Sequence, residues 1–113
     1  MPYSVRLKED VAADGDHGAA GGVGRAIDSR DFGTMRLTLD VTKAEGEEPT
    51  LDVAIDTAEQ ASGPWAELGT LTQATAIGSE RVVVVGCDRF VRARWEIGGT
   101  SPAFRFSILG EGV

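Results

Sequence analysis

One ten-residue pattern occurs twice in this chain and limits what the rest of it can fold into. Gly46-Glu-Glu-Pro-Thr-Leu-Asp-Val-Ala-Ile55 and Gly99-Thr-Ser-Pro-Ala-Phe-Arg-Phe-Ser-Ile108 both read Gly-x-x-Pro-x-apolar-x-apolar-x-Ile. Each copy follows a stretch of period-two alternation, Met35, Leu37, Leu39 and Val41 before the first and Val91, Ala93, Trp95 and Ile97 before the second. Such alternation turns one face to a core and one to water, the pattern of an antiparallel strand. Glycine supplies a positive φ, and a proline just before a returning strand loses little by lacking an N–H. The repeat therefore predicts two equivalent hairpins, the first with a loop three residues longer, from a pair of related β units packed face to face.

The remaining segments agree. Short apolar runs bounded by Gly, Pro, Asp and Ser suggest further strands at Tyr3–Leu7, Val23–Ile27, Trp65–Thr72 and Val82–Val85. The continuous β-branched run of the last predicts burial on both faces. No stretch carries a helical period. About eight strands in one chain of this size predict an all-β fold, a single antiparallel β-sandwich of jelly-roll-like form. Residues 34–113 are expected to form the sandwich core. Residues 1–33 are expected to pack on the same domain as a strand plus a flexible glycine-rich loop or arm, because Asp14–Gly24 is too poor in apolar residues to order itself.

A search for chemistry finds little. The chain has one histidine, His17, and one cysteine, Cys87, which together cannot make a zinc set or an intrachain disulfide. His17 is expected to be an exposed loop residue, and Cys87 a half-buried apolar one. The glycines of residues 15–24 lack the Lys-Ser/Thr of a phosphate loop and the strand–helix context of a dinucleotide fingerprint. Asp14 and Asp16 have the spacing of a calcium loop without its closing glutamate. Ser62 and Ser101 lie in turns with no histidine to activate them. The expectation is a protein that is not an enzyme and has no cofactor or metal.

No apolar run reaches the roughly 20 residues that span a bilayer, and the N-terminus lacks a secretory signal pattern. A single cysteine is compatible with the reducing cytoplasm. The net charge of −7 disfavours nucleic acid and anionic membranes as partners. That charge is uneven: residues 1–57 carry 12 acids and 6 bases, and residues 58–113 carry 6 acids and 5 bases. Around the first repeat the outward set is acidic, with Asp40, Glu45, Glu47, Glu48, Asp52 and Asp56. Around the second it is basic, with Arg89, Arg92, Arg94 and Arg105. Solvated surface accounts for both sets. They are also interface candidates, acid meeting arginine between neighbouring copies, since guanidinium pairs bidentately with carboxylate. Trp95 shares parity with core residues. Trp65, after Gly63-Pro64, and Tyr3 are the candidates for stacking on a carbohydrate, an alternative use of such a module on a host surface.

The stretches Arg36–Thr42, Pro49–Ile55, Asp88–Trp95 and Gly98–Ile108 resemble small β-sandwich structural proteins encoded by tailed bacteriophages and prophages. The resemblance covers roughly residues 34–112 and rests on strand-and-turn motifs, so it speaks more for fold than for role. Where members of that group often carry Ser-Pro-Asp-Gly before the tryptophan, this chain has Thr57-Ala-Glu-Gln-Ala-Ser-Gly-Pro64. The resemblance implies a virion component that decorates the capsid or sits near the head–tail junction. Its implied partners are a major capsid or connector protein and copies of itself, in a particle assembled in the host cytoplasm.

Overall fold

The computed structural model describes residues 9–29 and 33–112, the first six of these as backbone only. Seven strands are present among them: β1 (Glu9–Gly18), β2 (Ala20–Val23), β3 (Ile27–Asp28), β4 (Thr34–Ala58), β5 (Ala66–Thr70), β6 (Gly78–Val85) and β7 (Phe90–Gly112). All ladders are antiparallel, and among the described residues there is no helix, hence none that could cross a membrane. The all-β antiparallel class expected from the alternation is what the chain adopts. The expected strand Tyr3–Leu7 lies outside the described residues.

The repeat is real, but it does not make hairpins. β4 and β7 are single long strands that pair with each other from Met35↔Gly112 to Ala58↔Phe90. The two Gly-x-x-Pro motifs lie opposite one another in the middle of this ribbon and bend it. Gly46 and Gly99 have φ of 114° and 109°, and Glu48 and Ser101, two residues on, have φ of 48° and 49°. Positive φ at both positions turns each strand through a corner while it stays paired to its neighbour. A sequence pattern of strand, Gly, Pro, strand fits a corner as well as a hairpin, because both need the same φ values.

The corner divides the ribbon between two layers. One holds β1, the C-terminal half of β7, the N-terminal half of β4, and β6. The other holds β2 and β3, the N-terminal half of β7, the C-terminal half of β4, and β5. Exchanging β1 with β5, β2 and β3 with β6, and β4 with β7 maps one layer onto the other. The two related units are therefore interleaved, and each layer draws strands from both. The pairings Ala44↔Phe104 and Ile97↔Leu51 are counterparts under this exchange. Ala44, not Val41, thus matches Ile97, and the apparent three-residue excess reduces to one residue, Thr42. It sits in a bulge between Val41 and Lys43, and its hydroxyl donates to the Arg105 carbonyl at 3.3 Å.

The inward rows meet in one core. Leu37, Leu51, Ile55, Val91, Phe104 and Ile108 have no accessible surface. Trp95 of one layer meets Phe106 of the other edge-on, with ring centroids 5.3 Å apart.

Two further expectations change. The glycine-rich stretch is strand in β1 and β2, not a loop or arm. A Cβ at Gly22 would stand 2.6 Å from the Trp95 indole, so glycine is what allows the indole to lie across β2, and the indole in turn covers the strand. The Val82–Val85 run is not buried on both faces: Val84 is in the core, while Val83 and Val85 are 54% and 66% exposed. β6 is an outer strand, and among the described residues it pairs with β4 alone. The expected strand Val23–Ile27 also breaks: it is divided between β2 and β3, with residues 24–26 outside either.

Candidate functional site

The charged residues that alternate with the core lie mainly on the outer faces of the two layers, and the fold brings many of the opposed charges together within one chain. Asp56 lies on an outer face too, yet it is covered there, at 3% exposed. It stands directly across the ladder from Arg92. Its Oδ2 accepts from Arg92 Nε and Arg94 Nε at 3.1 Å each, and its Oδ1 accepts from Arg94 Nη2 at 3.1 Å. Arg94 also donates to Glu67 on β5 at 3.0 Å. Arg92 lies over the Trp65 ring, 4.3 Å from its centroid. A buried carboxylate with two guanidinium groups satisfies the requirement that an interior charge be both paired and hydrogen-bonded. The hydrogen bonds that Arg94 donates to Asp56 and Glu67 hold its pKa above the ordinary value.

The other arginines are engaged similarly. Arg105 Nε donates to Asp16 at 2.9 Å, which pins β1 to β7 and keeps the Asp16 carboxyl below its ordinary pKa. Arg89 reaches Asp28 at 3.3 Å, and Arg36 pairs with Glu111 across the β4–β7 ladder, Nε to carboxylate at 2.8 Å. Asp52 accepts from Gln73 at 3.1 Å. Thus Arg89, Arg92, Arg94, Arg105 and Asp56, read from sequence as two separate charged faces, make internal cross-strand pairs. Asp40, Glu47 and Glu48 are exposed with no ion-pair partner among the described residues, and Glu45 has only Lys43, at 3.9 Å. Glu45, Glu47 and Glu48 lie at the corner, and Asp40 lies further back along β4.

His17, expected in an exposed loop, is half-buried on β1. Its ring lies 5.0 Å from that of Trp95 and 4.8 Å from that of Phe106, closing the seam between the layers. Only the long-range pairing of β1 with β7 reveals this, and nothing local to residues 14–24 signals it. Trp65 is partly exposed, with Arg92 over one face of its indole, so a stacking ligand would have the other face. Tyr3 lies outside the described residues. Cys87 is half-buried as expected, and burial pushes its thiol pKa up. Among the described residues no group of three or more His, Cys, Asp or Glu side chains is placed to hold a metal ion. A cleft of about 460 Å³ beside the Arg94–Glu67 pair is lined by Asp52, Leu71, Glu96 and neighbouring residues.

No family model matches the chain, and comparison with curated proteins by sequence gives no match. Solved structures do match. The chain resembles PBSX exported protein XepA with a TM-score of 0.67 at 11% identity over 98% of its own length. It spans only 39% of XepA, about two fifths of that protein. PirA matches with a TM-score of 0.55 at 12% identity, over 94% of this chain and 97% of PirA. At these identities the likeness shows the fold alone.

Proposed function

We propose that the chain is a non-enzymatic structural component of a tailed-phage or phage-like particle, associated with the capsid surface or the head–tail region and acting in multiple copies. The observation that carries this reading is the build of the molecule. Two long strands run through both layers and are clamped by cross-strand ion pairs, which gives a rigid body with fixed outer faces. The acidic corner of Glu45, Glu47 and Glu48, with Asp40 further back on β4, is left outside that cross-strand pairing and suits a basic surface on a capsid or connector protein. The sequence resemblance of residues 34–112 to virion β-sandwich proteins supports the class. The fold shared with an exported protein, XepA, supports a place outside the producing cell.

The test is direct. Particles purified from a producing strain should contain the chain by mass spectrometry, and purified protein should bind particles that lack it. Replacement of Glu47 and Glu48 by lysine should weaken that binding. Absence from the particles, together with no binding, would overturn the reading. Glycan binding that is lost in Trp65→Ala would instead favour the carbohydrate-binding alternative.

A further inference from the structure

We infer that β6 is an assembly edge, at which a second copy of this chain adds its own β6 in antiparallel pairing about a two-fold axis. The inference rests on the reading of the chain as a component that acts in repeated copies.

The edges of the two layers differ in how well they are guarded. β1 carries a register shift between Val11 and Ala13 and a glycine at φ 104°. β2 and β3 are four and two residues long with a break between them. β5 has five residues, faces a register shift at Ile55/Asp56, and bears Glu67. Bulges, brevity and charge are the devices that stop a sheet edge from accepting another strand. β6 has none of them over Val82–Val85, and Arg81 is the one outward charge beside that run. It runs eight residues in unbroken register with β4, and among the described residues no strand pairs with its other side. Its outward side chains toward the C-terminal end are Val83 and Val85, two of the four large apolar residues that the described chain leaves exposed.

Charge argues for a second copy as the occupant. The chain carries −7, so most of its surface repels its own kind. β6 holds one glutamate and one arginine and is neutral, and Glu80 is already engaged, accepting from the Thr72 backbone N–H at 3.0 Å.

The register follows from the same charges. A two-fold axis normal to the layer pairs residues of the same face, so it runs midway between one residue and that residue's own copy. Centred on Arg81 it would oppose two guanidinium groups, and centred on Glu80 two carboxylates. Centred on Val82 it would leave the two arginines diagonal neighbours. Centred on Val83 it sets Val83 against Val83 and each Arg81 against the other copy's Val85. The arginines are then about 13 Å apart, four strand steps. Four valines form a cluster between them, and the four-stranded layer continues into one of eight strands.

Analytical ultracentrifugation from micromolar to millimolar concentration tests this. Wild-type protein should sediment at twice the monomer mass at the upper end. Val83→Asp places two carboxylates face to face and should weaken self-association by about 100-fold. Val23→Asp, at an exposed valine of the other layer, should leave self-association unchanged, and matching circular dichroism spectra would show that all three proteins are folded. Hydrogen exchange at the β6 amides that point away from β4 should slow as concentration rises. A wild-type monomer at every concentration overturns the inference, as does a dimer that Val83→Asp leaves intact. Protection of those amides that is independent of concentration also overturns it, since this chain's own residues would then cover the edge. A monomer that is nonetheless incorporated into particles sinks the edge and spares the proposed function. A dimer absent from particles does the reverse.

Discussion

Gly46 and Gly99 occupy each other's corners: a Cβ on Gly46 would lie 2.7 Å from the Ser101 carbonyl oxygen, and one on Gly99 would lie 2.7 Å from that of Glu48. The two bends are thus in backbone-to-backbone contact, and neither can accept a side chain unless the other moves. Gly46→Ala and Gly99→Ala should each destabilise the fold by about 2–4 kcal/mol, from strained φ together with overpacking. Gly86 has φ of 76° but open space around its Cβ position, so Gly86→Ala should cost only about 1 kcal/mol. Urea denaturation of the three variants checks the order. Equal losses would mean that crowding at the corner is not the controlling factor.

Asp56 neutralises two arginines from a nearly dry position. Asp56→Ala should destabilise by about 2–3 kcal/mol, toward the low end for a broken buried pair because Arg92 and Arg94 can turn to water. Loss of the anchor also frees Arg92, so Trp65 emission should change in parallel. A double-mutant cycle with Arg94→Ala measures the coupling, which should exceed that of Asp16 with Arg105, both of them well exposed.

Gly22→Ala should displace the Trp95 indole, since the new methyl carbon would start 2.6 Å from the ring. The expected loss is about 1–3 kcal/mol, with a red shift in the emission of an indole that is 7% exposed in the folded protein. Gly15→Ala, where nothing lies within 4 Å, should leave the emission alone and report only its backbone strain.

Acid should loosen β1. The Arg105 hydrogen bond holds the Asp16 pKa below its ordinary 3.8, so the folded chain binds this proton more weakly than the unfolded chain does. The contribution is complete above the unfolded value and fades as pH falls through the lower, folded one. Asp16→Asn should therefore lower Tm slightly near neutrality and leave it little changed in acid, which flattens the acid limb of a plot of Tm against pH. Because the pair is exposed, the effect should shrink in high salt. An unchanged acid limb would show that other carboxylates dominate it.

How much of this was legible follows from what kind of signal each feature leaves. Alternation at Met35–Val41 and Val91–Ile97 fixes which side chains face inward, because side-chain direction is a local property of a strand. The duplication was legible for the same reason. Whether Gly46 begins a hairpin or a corner is decided by what lies across from it, and the partner is Thr100-Ser101-Pro102, far along the chain. The order of residues 14–24 is likewise imposed from outside, by Trp95 lying over Gly22 and by the pairing with β7. Composition around β6 predicts burial, but its two outward valines are exposed because the sheet ends there. The charges were assigned to the correct residues, yet their pairing could be read only from the β4–β7 register: Arg92 meets Asp56 because Ala58 meets Phe90.

The central place of β7 has a consequence for synthesis. It is the hydrogen-bonded neighbour of β1, β2, β3 and β4, and even its nearest pairing, Ala58 with Phe90, reaches over the whole of β5 and β6. While a nascent chain still lacks β7, those strands have no shared partner, and the apolar rows of β4 stay wet. Pairings this remote in sequence form slowly, since the loop must close before contacts reward it. Folding of these strands should thus wait until β7 has been made, and the interval between translation of Met35 and translation of Gly112 is when a chaperone would find them.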